Sequence, residues 1–402
     1  MKDVVLITNY WHFESEKASS RYLTLANEIV EEGINLEVIT STFYHATKSQ
    51  RKFNMEFLNS FRYKISLIDE SGYDKNISFK RIFSHKRFAR NVMSYLNTRK
   101  KPDLIYCVIP SLDVAYKVTK YANENNIKVI LDIQDLWPES FKMIINIPIL
   151  SDAIFYPMKR LADKAYSSAD HIVAVSQTFV DRAIEVSRKN QFGHSVFLGT
   201  ELFKFDSIAK KVSNTNMSNS EIRLAYIGTL SYSYDIPSVI NALYLLKNRK
   251  EGSTVKFIVM GEGPLRKEFE KQAFIKGINC EFKGQLEYSE MVKLLCECDI
   301  AINPIVERSA ASIVNKVGDY AAAGLPVINT QNSQEYIDYL NEYHAGINCK
   351  NGDAEDIARA ILKLSNDKLL RREMGVNNRK FAEEKFDRKR TYKTIVNLIK
   401  NT

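Results

Sequence analysis

Short apolar runs alternate with stretches of helical periodicity along this chain, and that pattern restricts the fold more than any other feature. Val4 to Thr8 reads as a buried strand, and Tyr22, Leu25, Ala26, Ile29 and Val30 then recur at i, i+3, i+4, i+7 and i+8 before Gly33 ends the helix. Asn35 to Thr40 supplies the next strand. The alternation continues through Asp103 to Ile109, a helix opened by Ser111, Ile127 to Asp132, and His171 to Ser176. Strands that take turns with helices pair in parallel and are covered on both faces.

After Phe205 the texture changes to KKVSNTNMSNSE, which is polar and aperiodic. The pattern then restarts at Arg223 to Gly228 and runs through Thr254 to Met260, Asn279 to Lys283, Asp299 to Pro304, and Pro326 to Asn329. At 402 residues the chain is longer than the roughly 100–200 residues of one ordinary domain. It therefore reads as α/β with two doubly wound Rossmann-like domains. Residues 1–205 form the first, 206–221 a linker and 222–385 the second, while 386–402 form a basic helix that packs back towards the N-domain. Residues 41–101, where aromatic and basic side chains interleave, read as irregular.

Apolar residues make up 45% and charged residues 26%, the balance of a globular protein with a real core. No run approaches the roughly 20 apolar residues of a membrane span, and no signal-peptide pattern precedes Val4, so a cytoplasmic location is expected. The five cysteines are scattered and read as buried thiols. The net charge of +9 is unevenly placed, because nine Lys or Arg and no acid lie between Lys75 and Lys101. Such a field suits nucleic acid, an anionic membrane face or an acidic ligand. No nucleic-acid recognition module accompanies it, so nucleic acid is set aside. Phe79, Ile82, Phe83, Phe88, Val92, Met93, Tyr95 and Leu96 interleave with these cations, which suits a helix lying on an anionic bilayer. An ordinary solvated basic helix is the alternative.

Chemistry in a doubly wound sheet sits beyond the carboxyl ends of the strands. In the second half these ends carry Gly228-Thr229-Leu230, Gly261-Glu262-Gly263-Pro264 and the loop Glu307 to Asn315. The loop leads into SIVNKVGDYAAAGLPVIN, where Ser312, Lys316, Asp319 and Ala323 fall on one helical face. Lys316 suits phosphate charge and Asp319 a ribose hydroxyl pair, although the same spacing also fits an exposed Lys–Asp pair worth a few tenths of a kcal/mol. The chain has no D-x-D, so a diphosphate would be met by Lys316, helix N-termini and loop amides, without a divalent metal or other cofactor. No G-x-G-x-x-G follows the first strand, which disfavours a nicotinamide dehydrogenase.

NKVGDYAAAGLPVI resembles the donor-binding signature of glycosyltransferase family 4, whose fold is GT-B, and LDIQDLWPES resembles a segment of its bacterial branch that builds O-antigen and capsule repeat units. HFESEKASSRYLTLANEIVEEG and AYSSADHIVAVSQTF extend the likeness along nearly the whole chain. The resemblance implies two domains facing each other across a cleft and transfer with retention of configuration. It implies a nucleotide-sugar donor, a UDP-sugar first, and an acceptor saccharide on a polyprenyl diphosphate at the inner face of the cell membrane. It also places Asp135, Lys316 and Asp319 at the chemistry. Gly228, Thr229, Gly261, Gly263, Arg308, Ser312 and Asn315 would bind donor, and His12, Glu16, Lys17, Ser19, Trp137 and Glu139 would stand on the acceptor side. Ala311 occupies the place of the first acid of the family's E-x7-E, and SYSYDI replaces a basic pair after the first C-domain strand. A catalytically impaired GT-B scaffold and a sugar-nucleotide 2-epimerase are the alternative readings.

Overall fold

The computed structural model describes residues 1–16, 21–76, 78–142, 150–211, 221–249, 254–307 and 312–402. Lys17, Ser19, Arg308 and Ala311 lie outside the described residues, as does most of the expected linker. The chain divides into two compact units, residues 1–197 with 392–402, and residues 198–391. The division falls at Phe197 rather than within 206–221, because the helix Leu202–Ala209 buries Leu202 and Phe205 and belongs to the second unit.

In the first unit the strands are β1 (Asp3–Thr8), β2 (Asn35–Ser41), the short hairpin β3 (Phe43–Tyr44) and β4 (Ser49–Gln50), β5 (Lys64–Ile68), β6 (Leu104–Ile109), β7 (Lys128–Ile133), β8 (His171–Ala174) and β9 (His194–Ser195). Seven of them form one parallel sheet in the order β5-β2-β1-β6-β7-β8-β9, with Val4 opposite both Leu36 and Leu104. The apolar runs are continuous because both faces are covered. The helix Arg21–Glu31 lays Tyr22, Leu25, Ala26 and Ile29 on the sheet, and Gly33 closes it with a φ of 75°. Tyr392, Ile395, Val396 and Ile399 of the last helix, Arg388–Asn401, enter the same core. Residues 41–101 are not irregular: they hold the hairpin, β5 and the 20-residue helix Phe79–Thr98, capped by Ser78.

The second unit repeats the design with β10 (Glu221–Ile227), β11 (Thr254–Met260), β12 (Cys280–Gly284), β13 (Ile300–Asn303), β14 (Val327–Asn329) and β15 (Gly346–Asn348). Its parallel sheet runs β12-β11-β10-β13-β14-β15. The strand order reverses direction at β10/β13, the switch point beyond which doubly wound folds bind ligands. Tyr320 spans that point, accepting from Ile227 N at 2.8 Å and donating to the Ile302 carbonyl at 3.2 Å. The expected architecture of two Rossmann-like parallel sheets is what the chain adopts. No described helix is long and apolar enough to cross a membrane.

Candidate functional site

The turns after β10 and β11 lie against each other at the switch point. Gly228 N donates to Met260 O and Leu230 N to Glu262 O, both at 2.9 Å. A Cβ on Gly261 would stand 1.8 Å from the Gly228 carbonyl oxygen, and one on Gly263 would stand 2.2 Å from that of Leu230. Both glycines are therefore required by backbone crossing, and their part in any ligand site is to let the two turns close up. Thr229 is exposed beside them, its carbonyl accepting from Tyr226 at 2.8 Å.

Lys316 points into this junction. The helix Lys316–Ala322 begins there, so Ser312 precedes it and does not share its face, contrary to the spacing argument. Ser312 instead offers its carbonyl to Gln331 Nε2 at 2.5 Å, and Asn315 is exposed at the helix start. The Lys316 amine is 3.9 Å from the Tyr234 ring centroid and 4.1 Å from that of Tyr226, and has no hydrogen-bond partner among the described residues. Only 8% of the residue is exposed. The exposed Lys–Asp pair is thereby excluded. Burial pushes the amine well below its ordinary pKa, and the two ring faces partly compensate it. Gly228 keeps access open, because a Cβ there would lie 3.4 Å from Nζ.

Asp319, three residues on, takes different partners. Thr200 and Tyr288 hydroxyls donate to its Oδ1 at 3.2 and 3.1 Å, and Gly318 makes room for the Thr200 hydroxyl, which a Cβ would meet at 2.9 Å. Sequence reasoning missed Thr200, Tyr226, Tyr234 and Tyr288, since no motif carries them. Burial raises the Asp319 carboxyl to about 6, against hydrogen bonds from Tyr288 and Thr200 that lower it. An unfolded Asp titrates near 3.9, so the fold favours the protonated form. That stability is fully present below about pH 4 and is lost as pH rises through about 6. Asp319→Asn should flatten the fall in melting temperature across this window. A wild-type and variant pair with parallel curves would show that the carboxyl does not titrate there.

In the first unit, Asp135 accepts from Trp137 Nε1 at 2.9 Å and from the Ser140 hydroxyl, so its carboxylate is engaged within its own turn. Glu139 is ion-paired with Arg182 at 2.7 Å. Glu16 takes Arg51 at 2.7 Å and the Phe13 amide at 2.9 Å. His12 Nδ1 lies 3.3 Å from the Tyr44 hydroxyl, which in turn donates to the Glu16 carbonyl; burial lowers the His12 pKa. His12 and Glu16 are thus neighbours, while Glu139 is held elsewhere by Arg182 and, through it, Asp163.

The basic helix needs a correction too. Phe88, Val92 and Leu96 face the core, and Tyr95 bonds Glu37, so they are not free to enter a bilayer. Phe79, Ile82 and Phe83 are exposed at its start. Lys80 and Arg87 have acidic partners from outside the run, Asp74 at 2.9 Å and Asp69 at 2.7 Å.

Residues 208–381, which lie within the second unit, match the family model described as Glycosyl transferases group 1. An uncharacterized glycosyltransferase of Methanocaldococcus jannaschii is 24% identical over 241 residues, 58% of this chain and 59% of the relative. The capsular polysaccharide biosynthesis glycosyltransferase CapM of Staphylococcus aureus is 22% identical over 58% of this chain and 61% of its own length. The chain thus spans about three fifths of these curated relatives. Among solved structures, Anabaena HepE in complex with UDP is similar over 100% of both chains, with a TM-score of 0.70 at 15% identity. The fold is that of GT-B glycosyltransferases.

Proposed function

We propose that this protein is a retaining glycosyltransferase that moves a sugar from a nucleotide-diphosphate donor to a lipid-linked saccharide in bacterial surface polysaccharide synthesis. The observation that carries the reading is the buried Lys316 amine, without a hydrogen-bond partner among the described residues, at the switch point of the second sheet. A cation placed in a desolvated pocket before the ligand arrives stabilises a departing diphosphate without reorganisation. UDP is the first choice of nucleotide because the similar HepE structure holds it. CapM, as a relative, supports a capsule-type product.

In this mechanism the donor's C1–O bond to the β-phosphate breaks while the acceptor oxygen bonds C1 from the same face. The acceptor proton passes to the departing phosphate, whose charge falls on Lys316. Asp319, protonated or not, stands within reach of Tyr288 and Thr200 and would meet the ribose. The test is transfer from a panel of nucleotide sugars to a lipid-linked acceptor in excess EDTA. Turnover should persist, since the sequence lacks D-x-D; complete loss restored by Mg²⁺ or Mn²⁺ would overturn the metal-free mechanism. Donor binding without transfer would favour the scaffold reading, and a 2-epimerised donor the epimerase.

A place on the inner membrane face follows from the same acceptor. Phe79, Ile82 and Phe83, together with the nearby cations, form the contact. Each cation near an anionic leaflet contributes about 1 kcal/mol. Flotation with phosphatidylglycerol vesicles should therefore be lost in Phe79→Ser/Phe83→Ser/Lys86→Glu, with turnover on a soluble acceptor analogue kept. Equal flotation of wild type and variant would show a merely solvated surface.

A further inference from the structure

Beyond the carboxyl ends of β1, β2, β5 and β7, the first unit gathers a group of side chains that sugar-donor binding leaves unused. Tyr10 follows β1, His45 and Lys48 stand in the β3–β4 hairpin turn, Tyr73 follows β5 and Trp137 follows β7. Arg81 joins them from the first turn of the helix Phe79–Thr98. Ligands of open parallel sheets bind at this end.

The Arg81 guanidinium lies 4.6 Å from the Trp137 ring centroid and 5.4 Å from that of Tyr73. It donates to the Tyr10 hydroxyl and the Asn76 carbonyl, both at 2.8 Å, while its buried Nε has no acceptor among the described residues. Lys48 Nζ is 2.6 Å from the His45 carbonyl and 3.1 Å from His45 Nδ1. Lys48 holds a left-handed backbone, φ 56°, which costs a lysine more than Gly or Asn. Neither cation has an ion-pair partner among the described residues. Glu70, the carboxylate whose charge reaches Arg81, is 2% exposed and already accepts from Asn9 at 3.2 Å and Ser84 at 2.8 Å. The histidines add no counter-charge. Burial, then the Lys48 and Arg81 charges, lower His45 to about 4, and burial with Arg81 lowers His85, stacked on Trp137, to about 3.

Two cations of one sign are thus held against one ring, Lys48 Nζ 5.1 Å and the Arg81 guanidinium 5.4 Å from the Tyr73 centroid, at the ligand end of a sheet and with no dedicated acid; burial, then the Arg81 charge, lowers the Lys48 amine. Like charges gathered in this way cost stability, and an anion that bridges them removes the cost. We propose that Lys48 and Arg81 hold a phosphate or diphosphate group carried by the acceptor. The inference rests on the glycosyl-transfer reading only for whose phosphate it is; the anion site stands or falls separately.

Both tryptophans, Trp11 and Trp137, belong to the first unit, so intrinsic fluorescence is blind to a ligand confined to the second. Inorganic pyrophosphate titrated into the full chain should give a saturable change. Arg81→Gln and Lys48→Asn should each weaken it about tenfold or more, the effect of losing one charge-assisted hydrogen bond. Asn tolerates the left-handed backbone at 48, so an unaltered melting temperature in that variant certifies the fold. Wild-type-like titration of both variants, or no saturable change in the wild type, would overturn the site. A response to phosphatidylglycerol vesicles but not to pyrophosphate would assign the cations to a lipid surface and also overturn it. A protein that binds pyrophosphate here yet transfers no sugar would refute the enzymatic reading and leave this one standing.

Discussion

Lys316→Met should lower turnover by about two to three orders of magnitude, the usual cost of removing one preorganised electrostatic stabiliser. The same change should leave the fold intact and raise its melting temperature by a few degrees. The sign follows from burial: the lowered amine pKa means that the folded state disfavours the ammonium, so this group is a cost to stability at every pH below its unfolded value of about 10.4. Methionine matches the apolar stem and can lie between the Tyr226 and Tyr234 rings. About 1 kcal/mol moves the melting temperature by roughly 2–4 °C in a domain of this size. Thermal unfolding and single-turnover assays on one preparation check both halves. Activity within threefold of wild type would reduce Lys316 to an odd core residue. A loss of both activity and stability would make it a structural one.

The second large effect belongs to Arg21. Its guanidinium lies 3.2 Å from Asp132 and donates to the Val196 carbonyl at 2.8 Å, with both side chains almost wholly buried. Asp132 also accepts from Tyr106 at 2.6 Å and Gln134 at 2.8 Å. Arg21→Leu leaves a carboxylate in the core without its cation, which typically costs about 3–5 kcal/mol, a large share of the roughly 5–15 kcal/mol that holds a domain folded. Replacing both residues, as Arg21→Met with Asp132→Leu, should recover much of that loss, because no charge is then stranded. Urea unfolding followed by tryptophan fluorescence reads this directly, since both tryptophans are in the first unit. A loss below about 1 kcal/mol for the single variant would show that water reaches Asp132.

Both sheets could be read from the sequence because a parallel strand covered on two faces leaves a continuous apolar run, as VVLIT and TVKFIVM do. β5 hid in KISLI behind a stretch of basic and aromatic residues, and β15 is three residues long with no run to detect. The amphipathic face of the helix Phe79–Thr98 was misassigned because periodicity does not say whether a core or a membrane receives it. Lys316 could be singled out, but not decided. The rings that enclose it come from Tyr226 and Tyr234, far back in the chain, and burial by distant residues leaves no local mark. Asp319 is similar, bonded across 119 residues to Thr200 and across 31 to Tyr288. For Asp135 the motif was legible as a tight segment, yet nothing in DLWPES announces that the indole and Ser140 hydroxyl occupy its carboxylate.

The return of Tyr392, Ile395, Val396 and Ile399 to the first core has a bearing on how the chain is made. The first unit leaves the ribosome early, but its core lacks these four side chains until residues 198–391 have also been synthesised. At about 5–20 residues per second that interval is roughly 10–40 s. During it, the apolar cluster that holds Tyr22, Leu25, Val4 and Leu6 is short of these four members. Because Tyr392 follows Thr391 directly, the two units receive their last residues almost together, although the first began far earlier.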